Sequence, residues 1–438
     1  MDSILEHLMK MISGTYQVGV LSVRTLLLRG TARFFSPTRR RAGMNVSFRT
    51  TSSLQTACQR PDEVRVSRLP LVERLGNHVS SSAELLEWRR WARSHAALTK
   101  LEASGVADLP SLASLYTEID WLVVDVIAAT RPKKQGQRQL AWIYMASLQV
   151  RDIPPAHEVL LRESLAELRL SWLKRLRDRV PLQYITSTCF WRDLTLFVSP
   201  AVLIPRPETE LMVEHVKTVL DRCPSLCCGP WVDLGTGSGA LAISIAAEVL
   251  RMRASSALEN GCMDGKPVVH AVDLSLSSVQ IARCNASRHF SLTERGKDAV
   301  QIHQGSWFEP LESLDIVHRH AGSLAGIVSN PPYISSDEML DLQPEVRYHE
   351  PWLALESGRN GVEALELICE GASRYLLPGG VLLLETGGGG QTAHIDRLLR
   401  SFKEAKNGGM VPLFENIQIH ADHHGVRRFI TARKSILF

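Results

Sequence analysis

Four consecutive residues, Asn330, Pro331, Pro332 and Tyr333, form the segment of this sequence with the clearest chemical use. They follow an apolar run, Leu324 to Ser329, that predicts a buried strand. Two successive prolines fix φ at about −65° and bias Asn330 toward an extended backbone, so the segment is rigid. The Asn330 side-chain oxygen and the Pro331 carbonyl can each accept an N–H bond, and Tyr333 can stack on a planar group. The segment therefore predicts a pocket that orients an amide or an exocyclic amine.

A glycine loop follows another predicted strand, Trp231 to Leu234, and leads directly into a helical run, Leu241 to Leu250. The loop consists of Gly235, Thr236, Gly237, Ser238 and Gly239. Glycines at alternate positions permit unusual backbone dihedrals and let a ligand approach without a Cβ in the way. Asp273, at the end of the next predicted strand, can accept hydrogen bonds from both ribose hydroxyls of a nucleoside. This arrangement is typical of a nucleotide site.

The glycine spacing favours S-adenosylmethionine over NAD. The dinucleotide fingerprint has the spacing G-x-G-x-x-G and an acid about 20 residues further on. Here the third glycine comes one residue early and Asp273 lies 34 residues after Gly239, a distance to which an insertion at Arg253 to Lys266 contributes. A sulfonium methyl is already activated, so its transfer to a planar NH2 group needs positioning rather than a strong base or a metal.

The elements that must position these residues alternate between strand and helix. Strands are predicted at Trp231–Leu234, Val268–Leu274, Ala299–Gln304, Leu324–Ser329, Val381–Glu385, Ile417–His420 and Arg427–Ala432, with further strands at Phe190–Val198 and Val202–Ile204. This alternation predicts an α/β, Rossmann-like parallel sheet covered on both faces, with ligands at the carboxyl ends of its strands. We expect this domain to span residues 181–438 and to begin with a β-hairpin.

The chain before residue 181 has a different pattern. Residues 82–180 repeat apolar side chains at helical spacing, for example Leu161, Leu165 and Leu168, which predicts a small helical domain. Residues 1–60 are rich in Arg, Ser and Thr and contain only two acids, which is typical of an organellar transit peptide. A disordered basic tail is the alternative for that segment.

Charge and composition exclude several functions. The net charge is +4, of which residues 1–60 contribute +7, so the remainder is −3 and has no overall attraction for nucleic acid. The apolar runs are shorter than the roughly 18 residues that cross a bilayer, so we expect no membrane partner. The cysteines at 223, 227 and 228 have no second ligand pair at zinc-ribbon spacing, so we expect no metal. We also expect a monomer.

Several blocks together resemble the HemK/PrmC family, the protein N5-glutamine methyltransferases that modify the Gly-Gly-Gln glutamine of peptide chain release factors. Besides the Asn-Pro-Pro-Tyr segment and the glycine loop, the blocks are Leu182–Ile185, Leu203–Glu210, Leu342–Arg347 with Glu350 and Pro351, and Asp422 with Gly425 and Arg428. The resemblance covers about residues 82 to 434. One departure is Ser187, which stands where the family usually has glycine.

The resemblance implies a fold, a cofactor and a partner. The fold is a Rossmann-like methyltransferase domain behind a small helical domain that helps dock the release factor. The implied contacts with S-adenosylmethionine come from Gly235–Gly239, Asp273, Trp307 and Asn330. The glutamine is implied to lie against Asn330, Pro331, Pro332 and Tyr333, with Phe197 lining the same pocket. With the basic leader, the implied partner is an organellar class 1 release factor, in mitochondria or plastids.

Two other functions fit part of the pattern. An adenine N6-methyltransferase acting on DNA or RNA would use the same Asn-Pro-Pro-Tyr chemistry, but it predicts a basic channel, which the charge of −3 does not favour. It also typically lacks the Leu203–Glu210 block. A docking protein without catalysis would keep the fold but would not need the intact Asn330–Tyr333 segment.

Overall fold

The structure is a computed structural model that describes residues 69–102, 109–132, 157–255, 268–290, 298–314, 316–317, 322–406 and 409–436. The predicted transit peptide, residues 1–60, lies outside the described residues, as does the part of the predicted insertion after residue 255. The chain divides into two compact units between Thr195 and Leu196. No helix in the described ranges combines the length and the apolar character that a membrane span requires.

The first unit combines helices with a small sheet. Its helices are α1 (Ser82–Glu102), α2 (Leu112–Val126), α3 (Leu165–Arg177) and α4 (Leu182–Thr186), preceded by a 3-10 turn at Leu71–Glu73. Its strands are β1 (His78–Ser81), β2 (Ile127–Pro132) and β3 (His157–Leu161), and β3 pairs antiparallel with both of the others. The sequence pattern predicted the helices but not this sheet.

The apolar stripe of the first unit forms its core. Trp88, Leu168 and Trp172 are fully buried, and the Trp172 indole N–H donates to the Ala92 carbonyl at 3.1 Å. Leu161, which the pattern placed on the same helix as Leu168, ends strand β3 instead. The N-cap of helix α3, Ser164, lies three residues later and forms a capping box with Glu167, which satisfies two of the free N–H groups at the start of the helix.

The second unit is built on a seven-stranded sheet. Its strands are β6 (Trp231–Leu234), β7 (Val269–Asp273), β8 (Val300–Gln304), β9 (Leu324–Ser329), β10 (Leu376–Glu385), β13 (Phe414–Ala421) and β14 (Arg427–Lys434), in the order β13-β14-β10-β9-β6-β7-β8. Five neighbouring strands are parallel to one another: β10, β9, β6, β7 and β8. Strand β14 is antiparallel to both of its neighbours, β10 and β13. The prediction of a parallel sheet was therefore wrong at this edge. Strands β11 (Lys403–Lys406) and β12 (Gly409–Pro412) form a separate antiparallel pair.

Helices connect the strands of this sheet. They are α5 (Glu210–Arg222), α6 (Ala240–Ser255), α7 (Leu276–Phe290), α8 (Glu309–Ser313), α9 (Pro344–Arg347), α10 (Glu363–Tyr375) and α11 (Gly389–Ser401), with 3-10 turns at Pro224–Cys227, Glu338–Asp341 and Trp352–Ala354. The mixed sheet with its connecting helices confirms the predicted α/β, Rossmann-like fold class.

The stretch between α4 and α5 differs from its sequence prediction. Two short strands, β4 (Thr188–Trp191) and β5 (Leu194–Phe197), replace the single strand predicted at Phe190–Val198, because Arg192 adopts a left-handed φ of 51° and turns the chain. Ser187 also adopts a positive φ, 53°, as the C-cap of α4, a conformation in which glycine has the lowest steric cost. Val202–Ile204 is not a strand: the Ile204 N–H donates to the Glu350 carboxylate at 3.2 Å instead of to a strand partner.

Candidate active site

The predicted site residues lie along one edge of the large sheet. The last paired row across four neighbouring strands consists of Val272, Leu234, Ser329 and Leu384. The residues that directly follow these four in the sequence are, in the same order, Asp273, Gly235, Asn330 and Glu385. Neighbouring strands are about 4.8 Å apart, so these four residues span about 14 Å of the carboxyl edge. The sheet therefore sets Asp273 and Glu385 at opposite ends of one site.

The glycine loop comes close to Trp307 and Asn330. A Cβ at Gly235 would lie 3.9 Å from the Trp307 ring and 4.0 Å from the Asn330 carbonyl oxygen. A Cβ at Gly237 would meet nothing within 4 Å, and both glycines have positive φ, 74° and 55°. The loop thus exposes its backbone to open space beside two of the other predicted residues, as a cradle for a nucleoside requires.

Asp273 holds this loop from the neighbouring strand. Its Oδ2 accepts the Gly237 N–H at 2.8 Å and its Oδ1 accepts the Ser275 N–H at 2.9 Å. Burial raises the pKa of the Asp273 carboxyl, while these N–H bonds favour its charged form. The two carboxylate oxygens offer about four acceptor positions, of which these two N–H groups and the Ser278 hydroxyl use three at most. Asp273 can therefore still accept hydrogen bonds from a ligand.

A second aspartate lies beneath the loop. Asp233, at 1% exposure, accepts the Thr236 hydroxyl at 2.6 Å and the Ala242 N–H at 3.1 Å through its Oδ2. Burial raises the pKa of Asp233 to about 7. No site role was predicted for Asp233 from the sequence.

Trp307 lies on a strained backbone. Its φ is 45°, a left-handed value that is a real outlier for a bulky residue, and its side chain is half-buried against the core of the second unit. The Ser306 carbonyl accepts the Glu309 N–H at 2.9 Å, which closes a tight turn around Trp307. Such outliers are concentrated at ligand sites, where the surrounding structure maintains them.

A hydrogen-bonded chain connects Asn330 through Thr209 to Glu385, the last residue of the neighbouring strand β10. The Asn330 Nδ2 donates to the Thr209 Oγ1 at 3.0 Å, and the Thr209 hydroxyl donates to the Glu385 Oε2 at 2.7 Å. The Tyr333 hydroxyl makes a longer contact, 3.4 Å, with the other Glu385 oxygen. Glu385 is fully buried, and burial raises its pKa to about 7; burial also raises the pKa of Tyr333, so that its phenol stays protonated.

The backbone of the Asn-Pro-Pro-Tyr segment is fixed after Tyr333. The Gln391 side-chain amide donates to the Tyr333 carbonyl at 2.6 Å, and its oxygen accepts the Gly387 N–H at 2.9 Å. The Ile334 N–H donates to the Leu355 carbonyl at 2.9 Å, and Pro331 is buried. These contacts, with the two prolines, make the segment a rigid part of the site.

Phe197 is tied to the glycine loop through Asn285. The Asn285 side chain accepts the Phe197 N–H at 2.8 Å and donates to the Ser238 carbonyl at 2.9 Å. Among the described contacts, none joins Phe197 to Asn330. The predicted role of Phe197 beside the glutamine therefore stays a prediction.

The Leu203–Glu210 block packs against the block that contains Glu350. The Arg206 guanidinium donates to the Glu350 Oε1 at 2.6 Å, and Glu350 is 4% exposed. Burial raises the pKa of Glu350, and the Arg206 charge opposes that shift. The ion pair holds the chain that leads to Thr209.

The structure thus brings together the glycine loop, Asp273, Trp307 and Asn330. Sequence reasoning did not assign site roles to Thr209, Glu385, Gln391 and Asn285. Glu385 had a usable signal, because it is a carboxylate that directly follows the apolar run Val381–Leu384. Within the described ranges, no group of three His, Cys, Asp or Glu side chains could hold a metal ion.

Comparison with known proteins identifies the family. The release factor glutamine methyltransferase of Synechocystis sp. is 40% identical over 296 residues, which are 67% of this chain and 86% of that protein. The chain belongs to the release factor glutamine methyltransferase family. The enzyme of that name from Thermosynechococcus vestitus is 39% identical over 58% of this chain and 77% of its own length. The resemblance noted in the sequence is therefore confirmed.

The solved structures that resemble this chain are less similar to it in sequence. No family model matches the chain. Among solved structures, TrmN from Thermus thermophilus is 17% identical, with a TM-score of 0.31 and 52% of each chain covered. The O-methyltransferase from Bacillus cereus in complex with SAH is 15% identical, with a TM-score of 0.28, and covers 53% of this chain and 94% of its own.

Proposed function

We propose that this protein transfers a methyl group from S-adenosylmethionine to the side-chain amide nitrogen of the glutamine in the Gly-Gly-Gln motif of peptide chain release factors. One observation supports this most: the backbone carbonyl oxygen of Asn330 lies 4.0 Å from the position that a Gly235 Cβ would take. The nucleoside cradle therefore lies beside Asn330, the residue whose side-chain oxygen is the proposed acceptor of the NH2 group. Membership of the release factor glutamine methyltransferase family supports the substrate.

The residues present fit the cofactor. The open space at Gly237 and the positive φ of Gly235 leave the loop backbone accessible, and Asp273 has lone pairs for ribose hydroxyls. We assign cofactor contacts to Gly235–Gly239, Asp273, Trp307 and Asn330. When bound, S-adenosylmethionine would supply a methyl carbon activated by its sulfonium charge, and S-adenosylhomocysteine would leave as the C–S bond breaks.

The chain's own residues would orient the glutamine. The Asn330 Oδ1 and the Pro331 carbonyl accept its two N–H bonds, which directs the delocalised lone pair of the amide nitrogen toward the methyl carbon. Tyr333 stacks on the plane of the amide. The methylated nitrogen is strongly acidic and loses its extra proton to water, so the step needs neither a metal nor a strong base.

The proposed partner is an organellar class 1 release factor. The Arg-rich, acid-poor composition of residues 1–60 supports a mitochondrial or plastid address. We propose that the enzyme acts as a monomer and without a stable nucleic acid partner. The charge of −3 outside the leader supports the latter point.

The test incubates the purified protein with labelled S-adenosylmethionine and a release factor that carries either Gly-Gly-Gln or Gly-Gly-Ala. Label should enter only the glutamine form. Asn330→Ala should abolish transfer because the positioning side chain is lost, whereas cofactor affinity should change no more than about threefold because the Asn330 backbone carbonyl beside the glycine loop is retained. Asn77→Ala, a change of the same type at an exposed position in the first unit, should leave transfer unchanged.

Two results would contradict the proposal. Equal labelling of the Gly-Gly-Gln and Gly-Gly-Ala forms would show that the motif glutamine is not the acceptor. Transfer of label to DNA or RNA instead would indicate the adenine N6-methyltransferase alternative.

A further inference from the structure

The buried pair Thr209 and Glu385 determines which atom of the Asn330 carboxamide is available to a ligand. Thr209 lies just before helix α5 and Glu385 ends strand β10, so neither is close to Asn330 in sequence. Thr209 is 5% exposed and Glu385 is fully buried, which removes water as an alternative partner for either group. The proposed function so far assigns a role to neither.

The hydrogen-bond directions in this group follow from donor and acceptor counting. An ionised carboxylate only accepts, so the Thr209 hydroxyl must give its single hydrogen to Glu385, 2.7 Å away. The Thr209 oxygen can then only accept a bond from Asn330. The Asn330 atom that lies 3.0 Å from it must therefore be the NH2 nitrogen.

This order leaves the Asn330 oxygen for the substrate. Because its NH2 group points at Thr209, the Oδ1 of Asn330 points away, and within the described residues it has no hydrogen-bond partner. Pro331 and Pro332 add no backbone N–H to this corner. The corner thus presents acceptors and favours a group with two N–H donors, a carboxamide NH2, over a carboxylate of the same shape.

We propose that Thr209 and Glu385 are positioning residues that hold Asn330 in the orientation that accepts the substrate NH2 group. This inference deepens the proposed function and depends on it. Neither residue contacts the reacting atoms. Their effect is to remove the alternative orientation, in which the Asn330 NH2 would face the substrate NH2 and neither could accept.

The test measures methyl transfer to a Gly-Gly-Gln release factor by Thr209→Val, which keeps the shape but removes the hydroxyl. We expect kcat to fall about 10- to 100-fold, as a loss of alignment does, while KM for the release factor and cofactor affinity by calorimetry change no more than about threefold. Thr209→Ser keeps the hydroxyl and should restore kcat. The matched control is Thr218→Val on the exposed face of helix α5.

A second variant keeps the test decisive if Thr209→Val does not fold. Glu385→Gln removes the buried charge, and its amide can either donate to or accept from Thr209, so it should also lower kcat at pH 8 by about 10-fold or more. The inference is overturned if the folded variants keep kcat within twofold of the wild type. It is also overturned if cofactor affinity falls by the same factor as kcat, or if Thr209→Ser is as slow as Thr209→Val.

Different results would contradict the proposed function and the positioning role of Thr209 and Glu385. If the wild-type protein does not methylate the Gly-Gly-Gln glutamine, the proposed function is wrong. If the wild type is active and the Thr209 and Glu385 variants match it, only the positioning role is wrong.

Discussion

Among single residues, Glu385 combines a raised pKa with a buried position in the hydrogen-bonded chain to Asn330. Its pKa is raised to about 7 because burial outweighs its bond from Thr209. The charged groups around it act in both directions: Arg428 lowers its pKa and Glu208 raises it, while the Tyr333 hydroxyl donates to it. Its charge therefore changes within the range of an ordinary assay.

This protonation predicts a pH dependence. Below about pH 7 a protonated Glu385 can itself donate to Thr209, and the orientation of Asn330 is no longer enforced. We expect kcat to fall as the pH decreases through about 7. Because burial also raises the pKa of Asp233 to about 7, variants are needed to assign the decrease. Glu385→Gln should give a flat profile over this range, whereas Asp233→Asn should keep the decrease; the reverse pattern would contradict the assignment.

The contribution of Glu385 to the free energy of unfolding changes with pH in the opposite direction to its effect on kcat. A carboxyl group whose pKa is higher in the folded state binds its proton more tightly there, so its contribution favours folding more as the pH falls from about 7 toward the ordinary value of 4.5. Loss of kcat without loss of the folded state therefore separates the active-site effect from acid unfolding.

At the scale of the element, the centre of the sheet depends on one glycine. Gly326 in β9 lies beside Trp231 in β6, and a Cβ there would come within 2.2 Å of the buried indole ring. The strand can contain no larger residue without moving Trp231, whose N–H donates to the Leu226 carbonyl at 3.0 Å. The spacing of β6 and β9, and hence of the glycine loop and Asn330, depends on this contact.

Gly326→Ala should consequently lower the free energy of unfolding by about 1 to 3 kcal/mol, the usual cost of overpacking a core. Urea unfolding followed by fluorescence measures the change. Gly390→Ala in helix α11, where a Cβ would meet nothing within 4 Å, is the control and should leave stability unchanged or slightly higher. Equal midpoints for Gly326→Ala and the wild type would show that Trp231 moves at little cost.

The length of the connection between β13 and β14 sets the relative direction of these two strands. Only a short turn separates β13 from β14, closed by the Gly425 N–H donating to the Asp422 carbonyl at 3.0 Å. A connection of this length allows only antiparallel pairing, since a parallel crossover needs a dozen or more residues. The prediction of strands at these positions was correct, but their direction followed from the connection rather than from the alternating pattern.

For the molecule as a whole, the proposed address of the basic segment 1–60 can be tested separately from methyl transfer. Residues 1–60 fused to a fluorescent protein should direct it to mitochondria or plastids, because Arg-rich, acid-poor segments of this kind are typical of transit peptides. Replacing Arg39, Arg40 and Arg41 with Glu should abolish import, and microscopy reads out both results. Removal of residues 1–60 should leave methyl transfer within about twofold; a fusion that stays in the cytosol would contradict the proposed address.

The positions of the main predicted site residues follow from the amino-acid sequence. Asp273, the glycine loop and Asn330 each follow an apolar run, and parallel strands bring their carboxyl ends to one edge of the sheet. The strands Trp231–Leu234 and Leu324–Ser329 have the predicted bounds, because a buried apolar run leaves little ambiguity about where it ends.

The contacts that hold Asn330, in contrast, arise only in the folded chain. Thr209 lies 121 residues before Asn330, and Glu385 lies 176 residues after Thr209. Local propensity contains no information about contacts at such separations, which depend on the register of β9 against β10 and on the packing of the chain before α5. A carboxylate can be buried at that position only where hydrogen-bond donors meet it, and the donor at the shorter distance, Thr209, comes from a distant part of the sequence.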